Sequence, residues 1–176
     1  MIRQGGLILE CAPHVQFGPM SRITVAPLSA DQLHTVYPLI REVAPGLDLA
    51  GWLRLARRTV GSRRGGRSGI MVARRDGRAY PCGLFCYRRE QDLDGAAVLV
   101  ADHFVALDIL DAKPVLASLV GALDELAVRL ECTSVQSTVR TGAQEVAALL
   151  SGAGHQREAE MLTKRIGAAT GCAQDA

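Results

Sequence analysis

Apolar residues recur along this chain at two spacings, and the switches between them predict an order of strands and helices. From Met20 the residues Met-Ser-Arg-Ile-Thr-Val-Ala read as the start of a strand over 22–26. Ser29, followed three residues later by Gln32, has the form of a capping box, and Leu33, Val36, Leu39, Ile40 and Val43 then form one helical stripe. Pro38 falls inside that stripe and is expected to kink the helix. After Pro45-Gly46, Asp48 is placed to cap a second helix carrying Leu49, Trp52, Leu53, Ala56 and Val60 on one side.

Residues 61–69, rich in glycine, serine and arginine, read as a loop, and a strand follows over 70–74. Asp76-Gly77 predicts a tight hairpin turn into a strand over 78–87, and Asp92-Leu-Asp-Gly95 a second turn. The apolar run over 96–110 is too long for one smooth strand. Because Asp102-His103 interrupts it, a bulge or break is expected there. Helical spacing returns at Val115, Leu116, Leu119, Val120, Leu123, Leu126, Ala127 and Leu130. A strand over 133–139, a short helix over 143–150 closed by Ser151-Gly-Ala-Gly154, and a last strand over 157–166 complete the pattern.

This order predicts an α/β fold with a mixed, largely antiparallel central sheet and helices on both faces. Only the step through the helix near 112–130 requires a parallel crossover. Residues 1–19 read as an N-terminal extension, 20–168 as one domain and 169–176 as a flexible tail.

Composition narrows the class. The 176 residues are 48% hydrophobic and 22% charged, which excludes a disordered chain. Aromatics at 4% leave too few rings for a base-stacking nucleic-acid surface. A net charge of +2 names no partner. Cys11, Cys82, Cys86, Cys132 and Cys172 are odd in number and lack metal-ligand spacing, so a reduced, cytoplasmic chain without a metal is expected. No leader or membrane-spanning run is read in the sequence.

Three groups could carry chemistry. Asp102 and His103 place a carboxylate and an imidazole in an apolar strand, the types that take a proton from an attacking amine, although a bulge satisfied by backbone or solvent is the simpler explanation. Nine arginines fall within residues 54–78 against one acid, Asp76. Of these, Arg63, Arg64 and Arg67 lie in the glycine-rich loop and suit a phosphate, an anionic acceptor or a nucleic-acid backbone, unless they are simply solvated. Cys82 and Cys86, four apart on a strand, are expected to pack as small apolar groups.

The order and lengths over 22–166 resemble the GNAT family of acyl-CoA-dependent N-acetyltransferases. The stretch from Phe104 to Cys132 carries most of the likeness, with Thr133–Val139 following as the fifth strand and Ala147–His155 as the closing helix. The resemblance implies acetyl-CoA as cofactor. Its pantetheine would pair with the backbone of Phe104, Val105, Ala106 and Leu107, and its pyrophosphate would rest on a turn of the form Gln/Arg-x-x-Gly-x-Gly/Ala at Asp111, Ala112, Lys113 and Leu116.

Here that turn reads Asp111-Ala-Lys-Pro114-Val-Leu116, so all three signature positions depart from the family. Asp111 is also a good N-cap, so its carboxylate is expected to fill the space of the pyrophosphate. No tyrosine lies near Leu150, where the family keeps its acid, and His155 replaces the aromatic. The resemblance implies direct acetyl transfer to an amine of a small molecule or protein, with a homodimer as one option. The altered turn leaves a second reading open, a non-catalytic module binding a protein or an anionic ligand.

Overall fold

The computed structural model describes residues 22–60, 66–108 and 111–164. Five strands, β1 (Ile23–Pro27), β2 (Ser68–Arg75), β3 (Pro81–Gln91), β4 (Ala97–Ala106) and β5 (Ser134–Ser137), form one sheet in sequential order. The first four pair antiparallel, whereas β4 and β5 are parallel, joined by a helix as the expected crossover. Four helices cover the sheet: α1 (Tyr37–Val43), α2 (Leu49–Val60), α3 (Lys113–Arg129) and α4 (Gln144–Gly152).

Alternation along the strands sends side chains to two apolar clusters. Met71, Ala73, Phe85, Tyr87, Leu99 and Ala101 pack beneath α3 and α4. Ile70, Val72 and Leu84 pack on the other face against α1 and α2, where Trp52 is almost fully buried and its indole N–H donates to the Leu33 carbonyl at 2.7 Å. The second helix begins as its sequence requires, with the Gly51 N–H donating to Asp48 Oδ1 at 2.7 Å.

Gly83 controls how closely α3 approaches the sheet. An added Cβ there would lie 2.7 Å from Val115 Cγ1 and 3.0 Å from the Val105 carbonyl. The missing side chain therefore lets the first turn of α3 settle directly on β3, beside the end of β4.

Two expectations from the sequence are corrected. Pro38 does not kink a helix over 29–43. It stands in the first turn of α1, where its missing N–H costs nothing, and the preceding residues form a 3-10 turn over Ala30–Gln32. Ser29 makes no side-chain cap; instead its carbonyl accepts from the Gln32 N–H at 3.1 Å. The last strand is also absent over 157–164. Met161 and Leu162 are adjacent rather than alternating, both are exposed, and no sheet face covers them. The rest of that segment, 165–166, lies outside the described residues.

Candidate active site

The break in β4 is a bulge. Leu84 pairs with Val105 and Cys86 with Asp102, so one residue of β3, Phe85, faces two of β4, His103 and Phe104. His103 takes the left-handed conformation, φ 56°, that accommodates the extra residue. The consequence is a change of face. Before the bulge Leu99 and Ala101 point toward α3, and Asp102 shares the α1/α2 side with its strand partner Cys86. After it, Phe104 lies on the α3 side, stacked on Phe85 at 5.4 Å between centroids, and Val105 on the α1/α2 side.

The same insertion redirects the backbone. Upstream, the Ala97 and Ala101 carbonyls accept from Thr133 and Thr138 on the β5 side. Downstream, Leu107 sends its N–H to the Cys82 carbonyl on β3 at 2.7 Å. Alternation then turns the amides of Phe104 and Ala106 toward β5. Pairing with β5 ends at Ala101 and Ser137, so the two strands part there and this edge of β4 is open.

A cleft of about 360 Å³ occupies the gap. The end of β4 supplies Phe104, Val105 and Ala106, and the start of α3 supplies Ala112 and Leu116. Gly142 to Val146, leading into α4, form the opposite wall. The Ser137 hydroxyl, at the point where the strands part, is the one buried side-chain oxygen without a hydrogen-bond partner among the described residues.

On the α1/α2 side of the bulge stands a cluster of polar groups. Asp102 accepts from His103 Nδ1 at 2.5 Å on one oxygen and from Arg88 Nη1 at 2.8 Å on the other. The hydrogen bond to Asp102 raises the His103 pKa, outweighing burial and the charges of Arg140 and Arg88. Burial pushes Asp102 up, but His103 and Arg88 together hold it below the ordinary carboxylate range. Cys86 brings its sulfur into the same group, the ligand-type atoms of Cys86, Asp102 and His103 all lying within 4.8 Å of one another. Burial, and then the Asp102 charge, push the Cys86 thiol up to about 12. It is therefore protonated near neutrality. Any cation entering here would compete with Arg88 for the carboxylate.

Two further ties shape the surroundings. Arg140 Nη1 donates to the carbonyls of Val43 at 3.1 Å and Glu42 at 3.4 Å, fastening the segment after β5 to the end of α1. Arg75 pairs with the largely buried Asp108 through Nη2 at 2.5 Å and Nε at 3.0 Å, anchoring the chain as it leaves β4.

Against the residues singled out from the sequence, Phe104, Val105, Ala106, Ala112 and Leu116 line the cleft together. Leu107 turns its amide to β3. The Asp111 carboxylate accepts the Lys113 N–H at 2.9 Å, and the Lys113 ammonium reaches Glu145 at 3.9 Å. Arg63 and Arg64 lie outside the described residues. Arg67 is exposed, and its carbonyl accepts the Arg89 N–H. The sequence reading missed Arg88, Ser137, Arg140 and the wall over 142–146. Only Gly142, with φ 92°, carries a local signal.

The sheet with its β4 bulge, parting from β5 over a cleft at the start of α3, defines the fold class, that of the GNAT acetyltransferases. No family model matches the chain, and no curated protein matches it in sequence. Among solved structures it is similar to aminoglycoside N-acetyltransferase AAC(6')-Iy, crystallised with CoA, at 14% identity and TM-score 0.70, covering 85% of this chain and 97% of that one. It is similar to glucosamine-6-phosphate N-acetyltransferase from Arabidopsis thaliana at 10% identity and TM-score 0.68, covering 83% and 99%. Ribosomal-protein-alanine N-acetyltransferase from Brucella melitensis biovar Abortus 2308 gives 15% identity and TM-score 0.66, covering 82% and 100%. No helix among the described residues is long and apolar enough to cross a membrane.

Proposed function

We propose that this protein is an acyl-CoA-dependent N-acyltransferase that moves an acetyl group directly to an amine. The observation that carries the reading is the open edge of β4, with its cleft, placed immediately beside the Asp102–His103 pair. The pantetheine arm of acetyl-CoA fits this site by a simple test. It is an extended chain with amide groups, and the cleft offers it two outward-turned backbone amides and apolar walls.

Phe104 and Ala106 would hold that arm through their N–H and C=O groups, as an added strand does. Bound there, acetyl-CoA supplies an acyl group activated as a thioester. Overall, its C–S bond is exchanged for a C–N bond and the amine proton ends on sulfur. His103 serves as the base, accepting the amine proton while the Asp102 carboxylate orients the ring and stabilises its charged form. Arg88 keeps Asp102 ionised throughout. Because His103 has a raised pKa, the neutral ring needed for this role becomes available only as pH rises.

The acceptor is an amine approaching from the α1/α2 side. Arg67 stands just before β2, opposite Arg89, so exposed positive charge at this end of β3 favours an acceptor with an anionic group. The test is calorimetry with acetyl-CoA, followed by chromatographic detection of acetylated amines from a panel of neutral and phosphorylated acceptors. Saturable binding at micromolar concentration with product formation supports the reading. Absence of binding at millimolar concentration removes it and leaves a non-catalytic module.

A further inference from the structure

The start of a helix holds a dianion through the free N–H groups of its first turn and the positive end of the helix dipole. In α3 the first turn has few such groups to give. The Lys113 N–H donates to Asp111 Oδ1 at 2.9 Å, Pro114 has no N–H, and Val115 is fully buried beneath the turn. The Leu116 N–H makes the first regular helix bond, to the Ala112 carbonyl at 3.0 Å.

Charge works in the same direction. Glu145 lines the cleft, Asp111 directly precedes its wall residue Ala112, and the Lys113 ammonium lies 3.9 Å from Glu145. The side chain of Leu116 lines the cleft where an anion would need backbone. These features do not fit a diphosphate. The other end of the same cleft, at Phe104 and Ala106, keeps the open strand edge that fits a pantetheine arm.

Resting on the reading of this cleft as an acyl-donor site, we infer that it recognises an acyl thioester by its pantetheine arm alone, the diphosphate of CoA adding no affinity. The substrate class is then any pantetheine-borne acyl group, on CoA or on the phosphopantetheine of a carrier protein. Asp111 is the residue that sets this preference.

Calorimetry on the full chain with CoA, 4'-phosphopantetheine and pantetheine tests the inference. The three dissociation constants are expected to agree within about threefold. Asp111→Asn keeps an oxygen for the Lys113 N–H but removes the charge, and should tighten CoA about tenfold, or about 1.4 kcal/mol. Pantetheine binding to that variant should stay unchanged. CoA binding tenfold or more tighter than pantetheine to the wild-type chain would overturn the inference and leave the acyltransferase reading intact. Failure of all three to bind at millimolar concentration would remove both. With pantetheine and CoA equal, a phosphopantetheinylated carrier protein separates the sources. Tighter binding than free phosphopantetheine assigns the arm to a carrier, and equal or weaker binding assigns it to the free cofactor.

Discussion

His103 combines two properties that one pair of substitutions separates. Its φ of 56° lies in the left-handed region, which costs a residue with a Cβ about 1–2 kcal/mol and costs glycine nothing. Its imidazole hydrogen-bonds Asp102 and is the proposed base. His103→Ala and His103→Gly both remove the ring and that hydrogen bond, so they differ only in the Cβ. In an ordinary strand glycine is the worse of the two by about 0.5–1 kcal/mol. At the bulge the order should invert, with His103→Gly more stable than His103→Ala by about 1 kcal/mol. In a chain of this size that corresponds to a melting-temperature difference of about 2–4 °C. Both variants should lose acyl transfer equally, by a factor of about 10²–10⁴ if the ring acts as base. Urea unfolding and a transfer assay on the same preparations give the two readouts. Alanine as stable as glycine would refute the bulge geometry, and activity within threefold of wild type would refute the role of the imidazole.

Gly83→Ala should destabilise the fold by about 1–3 kcal/mol, because the new Cβ meets Val115 and the Val105 carbonyl; a urea midpoint within error of wild type would contradict the close packing of α3 on β3. Cys86, with its thiol pushed up to about 12, should resist alkylation by iodoacetamide at pH 8 until the chain is unfolded, and rapid labelling of the folded protein in peptide mapping would contradict the raised pKa. The Asp102–His103 pair should stabilise the fold most between about pH 4 and 6.5. The share from His103 is full below its ordinary 6.5 and fades as pH rises through its raised value, while that from Asp102 is full above its ordinary 3.8 and fades as pH falls through its lowered one. A double-mutant cycle should therefore show stronger coupling at pH 5.5 than at pH 9.5, and equal coupling at both would count against the pair.

The sequence revealed features whose cause is local. Fifteen apolar-rich positions exceed the usual length of a strand, so Asp102-His103 marked the bulge before any contact was known. Asp48 and the turn at Asp92–Gly95 were legible for the same reason, whereas the strand expected to follow Asp76-Gly77 from Arg78 begins only at Pro81. Pro38 was misplaced because a proline inside an apolar stripe is compatible with either a kink or a new helix start, and the 3-10 turn before it depends on packing under Trp52. Cys86 was read only as packing, since its closeness to Asp102 depends on a cross-strand register that the bulge itself shifts. Arg75 looked like one of many solvated arginines until Asp108, 33 residues away, met it. The charge of Asp111 and its place before a helix were visible in sequence, but it stands one residue before the N-cap, Ala112, and its carboxylate accepts from the first helical N–H, that of Lys113, so the expected N-cap is corrected.

The central claim is that the bulge turns the amides of Phe104 and Ala106 into an open edge that receives the donor. Amide hydrogen exchange, resolved by NMR residue by residue, tests this most directly. In the free protein Phe104 and Ala106 should exchange much faster than Leu107, whose N–H is bonded to Cys82. Saturation with a non-hydrolysable thioether analogue of acetyl-pantetheine should slow Phe104 and Ala106 at least tenfold and leave Leu107 unchanged. Saturable binding of the analogue with no added protection at Phe104 or Ala106 would show that the donor does not use this edge, and would contradict the account.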